Sequence, residues 1–134
     1  MQIQPPTPTK SKIAGPDVIV LNKDLFFGVT IANALQALGF RPIAARSTTA
    51  LTSALELSPE AALVIVDINA VDDWDALKTT IDTTPDVPAI AFGSHTNVEG
   101  LRAAKQAGLT RVFSNGEFHR TMGPTITRYA RSQP

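Results

Sequence analysis

The stretch Ala61-Ala62-Leu63-Val64-Ile65-Val66-Asp67 is an unbroken apolar run that ends in one carboxylate. It lacks the apolar/polar alternation of a strand with one wet face. It is rich in β-branched residues and too short for an ordinary helix. These properties predict a central parallel strand buried on both faces. Such a strand needs helices above and below it, which points to an α/β architecture. Asp67 then falls at the carboxyl end of the strand, where open α/β sheets place their sites.

Composition sets the outer limits. A chain of 134 residues, 43% of them hydrophobic, fits one domain with a real core. The formal net charge is zero, which argues against broad binding to nucleic acid or to an anionic membrane. The absence of cysteine excludes disulfides, thiolate catalysis and cysteine-ligated zinc. No apolar stretch approaches the length of a membrane span. The segment Met1-Gln2-Ile3-Gln4-Pro5-Pro6 lacks the apolar core of a signal peptide, so a cytoplasmic protein is expected.

Residues 1–16 are rich in Pro, Thr, Lys and Gln, with almost nothing to bury, and read as a disordered arm. Strands and helices alternate from there through residues 17–134. Asp17–Leu21 reads as a first strand, and Asp24 suits the N-cap of a helix reaching Leu38. Gly39 is a good helix stop. Arg41–Ala45 is a shorter strand whose Pro42 fits only a strand start or a sheet edge. Ser47 or Thr48 opens a helix to about Leu57, closed by Ser58-Pro59. After the Ala61–Asp67 strand, Asp72 or Asp73 caps a third helix to about Ile81. Val87–Phe92 is the fourth strand, Asn97 caps a helix over Val98–Ala107, and Arg111–Ser114 is a short fifth strand. Pro124 lacks an N–H and belongs in the first turn of a last helix from about Thr121 to Arg131. Five strands alternating with five helices imply one doubly wound α/β domain with a five-stranded parallel sheet.

Three segments at these separations resemble the receiver domain of bacterial response regulators. Leu63-Val64-Ile65-Val66-Asp67-Ile68-Asn69 is similar to the strand ending in the phosphoacceptor aspartate. Ala89-Ile90-Ala91-Phe92-Gly93-Ser94-His95 resembles the fourth strand and its exit. Leu101-Arg102-Ala103-Ala104-Lys105-Gln106-Ala107-Gly108 resembles the fourth helix and the Ala-Gly before the last strand. The resemblance implies a flavodoxin/CheY-like fold with strand order 2-1-3-4-5. It also implies a site in which two acidic residues after the first strand hold Mg²⁺, a Ser or Thr after the fourth strand binds the phosphoryl group, and a Lys after the fifth adds positive charge.

The chain departs from that pattern at most of these positions. Asn22 and Lys23 stand where the acidic pair should be, Gly93 stands at the hydroxyl position with Ser94 one place later, and Asn115, followed by Gly116, stands at the lysine position. Asp67 and Asn69 match. Asn69 lends its backbone carbonyl to the metal in the family. Two carboxylates plus the acceptor would offer a divalent cation about three negative charges. Asn22, Lys23 and Asp67 sum to about zero, or about one negative charge if Asp24 turns inward. Lys23 is placed to set its ammonium near Asp67, which would imitate a bound metal and make Asp67 more acidic.

Other residues have plainer readings. His95 suits a surface loop, His119 beside Arg120 is expected to be exposed, and the two histidines lack metal-ligand spacing. Trp74 suits either a surface anchor or a cover for the start of the third helix. No G-x-G-x-x-G or Walker sequence follows the first strand. The last third is basic, and the resemblance makes the fourth helix, fifth strand and fifth helix the partner or homodimer face, with Arg102, Lys105, Arg111, Arg128 and Arg131 as its cations.

The expected function is therefore a stand-alone pseudo-receiver. It would signal through protein contacts, without enzymatic turnover and without a cofactor. One alternative is a phosphorylatable single-domain response regulator that accepts phosphate on Asp67 and uses Mg²⁺. Another is a flavodoxin-like small-ligand binder with its pocket between Asn22–Leu25, Asp67–Ala70 and Gly93–Asn97.

Overall fold

A computed structural model of the protein describes residues 15–131. The expected arm lies almost wholly outside the described residues. Its last residue, Pro16, is tied to the sheet by accepting a hydrogen bond from Arg41 N–H. Strands β1 (Asp17–Leu21), β2 (Arg41–Ala45), β3 (Leu63–Asp67), β4 (Ala89–Gly93) and β5 (Arg111–Ser114) form one parallel sheet in the order β2-β1-β3-β4-β5. Every residue of β3 and β4 is buried, as expected for strands covered on both faces. Pro42 sits on an edge strand, where the missing N–H costs no ladder bond.

Helices α1 (Leu25–Ala37), α2 (Thr48–Leu57), α3 (Trp74–Thr83) and α4 (Val98–Gln106) each start at a side-chain cap. Asp24, Ser47, Asp73 and Asn97 accept from the N–H groups of Phe27, Ala50, Ala76 and Gly100. Each cap satisfies a backbone donor that the helix itself cannot. Gly39 and Gly108, at φ 90° and 95°, reverse the chain after α1 and α4 in the left-handed conformation that glycine tolerates best.

The strands alternate between two cores. Ile19, Leu21, Val64, Val66 and Ala91 pack under Leu51 and Leu55 of α2, Leu77 of α3 and Ala104 of α4. Val18, Val20, Ile65, Ile90 and Phe92 pack under Ile31 and Leu35 of α1 and under Phe118, Met122 and Ile126 near the carboxyl terminus. Trp74 is half-buried against the first core, so it covers the start of α3 and is not a protruding anchor. No helix among the described residues is long and apolar enough to cross a membrane.

The last helix departs from expectation. It comes in two pieces, α5 (Asn115–Arg120) and α6 (Met122–Tyr129), and the first covers a stretch expected to be loop. Its cause is local: Ser114 Oγ accepts from Glu117 N–H at 3.1 Å. Ser114-Asn115-Gly116-Glu117 is a Ser-x-x-Glu sequence, the signature of a capping box. Pro124 lies in the first turn of α6, as its chemistry requires.

Arg131 is not a free cation of the basic face. Its guanidinium donates to three backbone carbonyls, those of Ala61 (3.1 Å), Asp86 (2.9 Å) and Pro59 (3.2 Å). It clasps the chain end to the loops that enter β3 and β4. Arg131→Met should lower the unfolding free energy by about 1–2 kcal/mol. A denaturant midpoint equal to that of the wild type would show that the clasp contributes nothing.

Candidate functional site

Asp67 ends β3 and is 5% exposed. It pairs in register with Phe92 of β4, so both side chains leave the sheet on the face covered by α1, α5 and α6. One carboxylate oxygen accepts from Asn69 N–H at 2.9 Å, which makes Asp67 the cap of the 3-10 turn Ile68–Ala70. Burial pushes its pKa up from the ordinary 3.8. The Asn69 hydrogen bond opposes that rise, the charge of Asp24 adds to it, and the charge of His119 opposes it.

His119 is the residue that sequence reasoning missed. It is half-buried, and its ring lies 4.3 Å from Phe27, 5.3 Å from Phe92 and 5.5 Å from Phe118. Among the described residues its Nε2 is the one buried side-chain polar atom without a hydrogen-bond partner. Burial lowers its pKa from the ordinary 6.5, while the charges of Asp67 and Asp24 pull it back up. The expectation of an exposed His119 fails because α5 turns the ring inward onto the Phe92 face. The capping box at Ser114 was the available signal.

Lys23 also differs from expectation. It is exposed, and its charge acts on Asp72, whose carboxyl is lowered chiefly by hydrogen bonds from the Thr48 side chain and backbone, against burial, with a smaller contribution from Lys23. The basic side chain that acts on Asp67 is His119, and its effect is small beside that of burial. Asp67 is therefore made less acidic, not more.

The other residues at the mouth are occupied locally. Asn22, 9% exposed, donates through Nδ2 to Asp24 O at 2.7 Å and accepts at Oδ1 from Asp24 N–H at 3.2 Å. It spends its amide closing the turn into α1. Asp24 accepts from Phe27 N–H at 2.9 Å, so its carboxylate is the helix cap. A Cβ on Gly93 would meet Ile68 Cδ1 at 2.8 Å and Cβ at 3.1 Å, leaving no room there for a serine or threonine unless Ile68 moves. Ser94 Oγ shares a hydrogen bond with Thr96 Oγ1 at 2.8 Å and accepts from Thr96 N–H. Asn115 is the first residue of α5. Asn69 and His95 are exposed.

No three acidic, histidine or cysteine side chains converge on a point suited to a metal among the described residues. Measured against the Mg²⁺ that the fold family implies, the donor set is one carboxylate, an amide already satisfied twice and a carboxylate engaged in capping. A hard divalent cation needs more anionic oxygen than that, and the residues present do not fit it.

The backbone is close to known structures. A chemotaxis protein CheY4 of Vibrio cholerae superposes with a TM-score of 0.70 at 15% identity, over 86% of this chain and 98% of that one. A putative response regulator from Chloroflexus aurantiacus gives a TM-score of 0.73 at 12% identity, over 86% and 97%. The receiver domain of NtrX from Brucella abortus gives 0.71 at 17%, over 84% and 97%. The fold is that of response-regulator receiver domains. A CheY-like protein, TadZ, from Pseudomonas aeruginosa also shares it, with a TM-score of 0.68 at 15% identity over 87% of this chain and all of that one. No protein-family model and no curated protein matches the sequence.

The two titrating groups give opposite pH dependences. His119 has a depressed folded pKa, so the unfolded chain takes up the proton first. Its contribution is full above pH 6.5 and is lost as pH falls from there toward the folded value. Asp67 has a raised folded pKa, so the folded chain takes up the proton first. The cost of burying its charge is present above the folded value and relieved as pH falls through it toward 3.8. His119→Phe should therefore flatten the fall in melting temperature just below pH 6.5, and Asp67→Asn should raise stability at neutral pH. Melts across pH check both. An unchanged profile for His119→Phe would place the imidazole in water.

Proposed function

We propose that the protein is a pseudo-receiver, a signalling module of two-component type that works through protein contacts and does not turn over a phosphoryl group. The observation that carries this reading is the state of the acidic pair. Asn22 replaces one acid and is spent on the backbone of Asp24, and Lys23 replaces the other and faces water. Phosphoryl transfer to a carboxylate depends on a cation that neutralises the phosphoryl oxygens. His119 offers one positive charge at most, and its burial favours the neutral form. Gly93 offers no hydroxyl where the resemblance puts one, and a Cβ there would have to displace Ile68.

The basic face is the proposed partner surface. Arg102 and Lys105 on α4 are exposed and pair with no carboxylate among the described residues. Arg128 on α6 is exposed over the Tyr129 ring. Arg111 is partly engaged, with Glu117 at 3.8 Å, Tyr129 Oη at 3.2 Å and the Phe113 ring at 4.8 Å. An acidic protein surface is the complementary partner.

Acetyl phosphate with Mg²⁺ should leave the intact mass unchanged. A Mg²⁺-dependent adduct that disappears in Asp67→Ala would overturn the reading in favour of a phosphorylatable regulator. The double variant Asn22→Asp, Lys23→Asp should behave differently. Restored carboxylates beside Asp67 should lower its melting temperature without metal and let Mg²⁺ raise it again. A melt indifferent to Mg²⁺ in that variant would show that more than the acidic pair has been lost.

A further inference from the structure

Helix α5 is a six-residue piece that rests on the sheet through two adjacent side chains. The Phe118 ring stacks on Phe92 at 4.7 Å. The His119 ring stands edge-on to Phe92 at 5.3 Å and lies over Phe27 of α1 at 4.3 Å. In that seat the imidazole holds a buried Nε2 without a hydrogen-bond partner. A neutral ring can leave the atom as an unpaired acceptor at limited cost. A protonated ring must carry an N–H there, and a buried cationic donor without an acceptor costs far more. Asp67 of β3 and Asp24 before α1 act on the ring by charge, yet neither accepts from Nε2. The other charged groups nearby are turned elsewhere. Arg111 of β5 holds Glu117 of α5 at 3.8 Å and Tyr129 Oη at 3.2 Å. Arg120 donates to Gly116 O, and Arg120, Lys23, His95 and Arg128 are exposed. The segments 25–40 and 89–93, which supply Phe27 and Phe92, contain no ionisable side chain.

We propose that His119 is a proton-operated latch on α5: the neutral ring holds the helix against β4 and α1, and the protonated ring leaves its seat and lets the helix lift. The Phe27 face offers a cation some compensation, but burial is the larger influence and favours the neutral ring. The latch is therefore closed above pH 6.5, the ordinary imidazole value, and loosens as pH falls from there. The backbone gives α5 freedom to move by itself. A break at Thr121 separates it from α6, whose start has no side-chain cap, so α5 can shift without unwinding α6. Glu117 travels with α5, so lifting takes from Arg111 its carboxylate partner. That consequence for the basic face rests on the partner surface proposed above. The latch itself does not, and it holds whether or not Asp67 accepts phosphate.

Amide hydrogen exchange of the full chain at about pH 7.5 and about pH 5.5, with and without mild denaturant, tests it. The reporters are the amides of Glu117 and Thr121, which donate to Ser114 Oγ and Glu117 O. Their protection factors should fall about threefold or more at the lower pH, through a local opening that denaturant does not promote. His119→Phe fits the aromatic seat and cannot titrate, so it should abolish the pH response. His119→Gln, equally unable to titrate, is the substitute if the Phe variant fails to fold. Asp67→Asn should keep the response, because the ring leaves its seat and does not turn to Asp67. Protection of Glu117 and Thr121 that ignores pH overturns the proposal. So does a response that survives His119→Phe or one that disappears in Asp67→Asn. A response matched by the β3 and β4 amides in size and in denaturant dependence also overturns it, since His119 would then act on global stability alone. None of these outcomes affects the intact-mass experiment on Asp67.

Discussion

Burial of β3 on both faces governs the rest of the molecule. A strand without a wet face can exist only between two helical layers, and its neighbours β1 and β4 inherit the same condition. The requirement ends at Asp67, the first polar side chain the strand meets, and the residue is still only 5% exposed because helices from both ends of the described chain close over that side of the sheet. Desolvation is therefore the largest influence on Asp67. The groups at the mouth are arranged around that buried carboxylate.

That arrangement is distributed. The Asn69 N–H and the imidazole of His119 are the groups that favour the charged form, and the nearby Asp24 disfavours it. His119 is itself held by aromatic contacts, with Phe92 stacked on Phe118 at 4.7 Å and Phe27 over the imidazole. Aromatic rings thus line the side of the site opposite the Asn69 N–H. Its polar atoms are used for caps and turns, so the same residues that make the loops rigid are withdrawn from chemistry. Phe27 belongs to α1, so the inner side of that helix touches the pocket while its outer side presents Leu25, Phe26 and Val29. Pocket and outer surface are two faces of one helical turn.

The architecture was legible because it rests on local rules. The caps at Asp24, Ser47, Asp73 and Asn97, the stops at Gly39 and Gly108, and the edge position of Pro42 each follow from the chemistry of one residue and its neighbours. Ser114-Asn115-Gly116-Glu117 was equally legible as a helix start, and reading it as loop was the error that left His119 outside the site. The strand order came from the resemblance, since periodicity cannot rank neighbours that are far apart in sequence.

The sequence by itself determined which groups could be present around the end of β3: Asp67 on the strand, Asn22, Lys23 and Asp24 after β1, and Gly93 at the end of β4. Those are facts of composition at fixed positions, and folding cannot add to them. Only the tertiary structure decided how the groups face one another. Lys23 is exposed to water, whereas the His119 ring packs against Phe27 and Phe92 on the side of the sheet that carries Asp67. The choice depends on the local turn that Asn22 closes with Asp24 and on α5 packing against Phe92, a contact between residues far apart in the chain. The same holds for α1, whose apolar residues occur on both sides, so that only the fold shows which of them are covered. The sheet beneath it is wide enough to cover only one side, and that geometry leaves Leu25, Phe26 and Val29 in water.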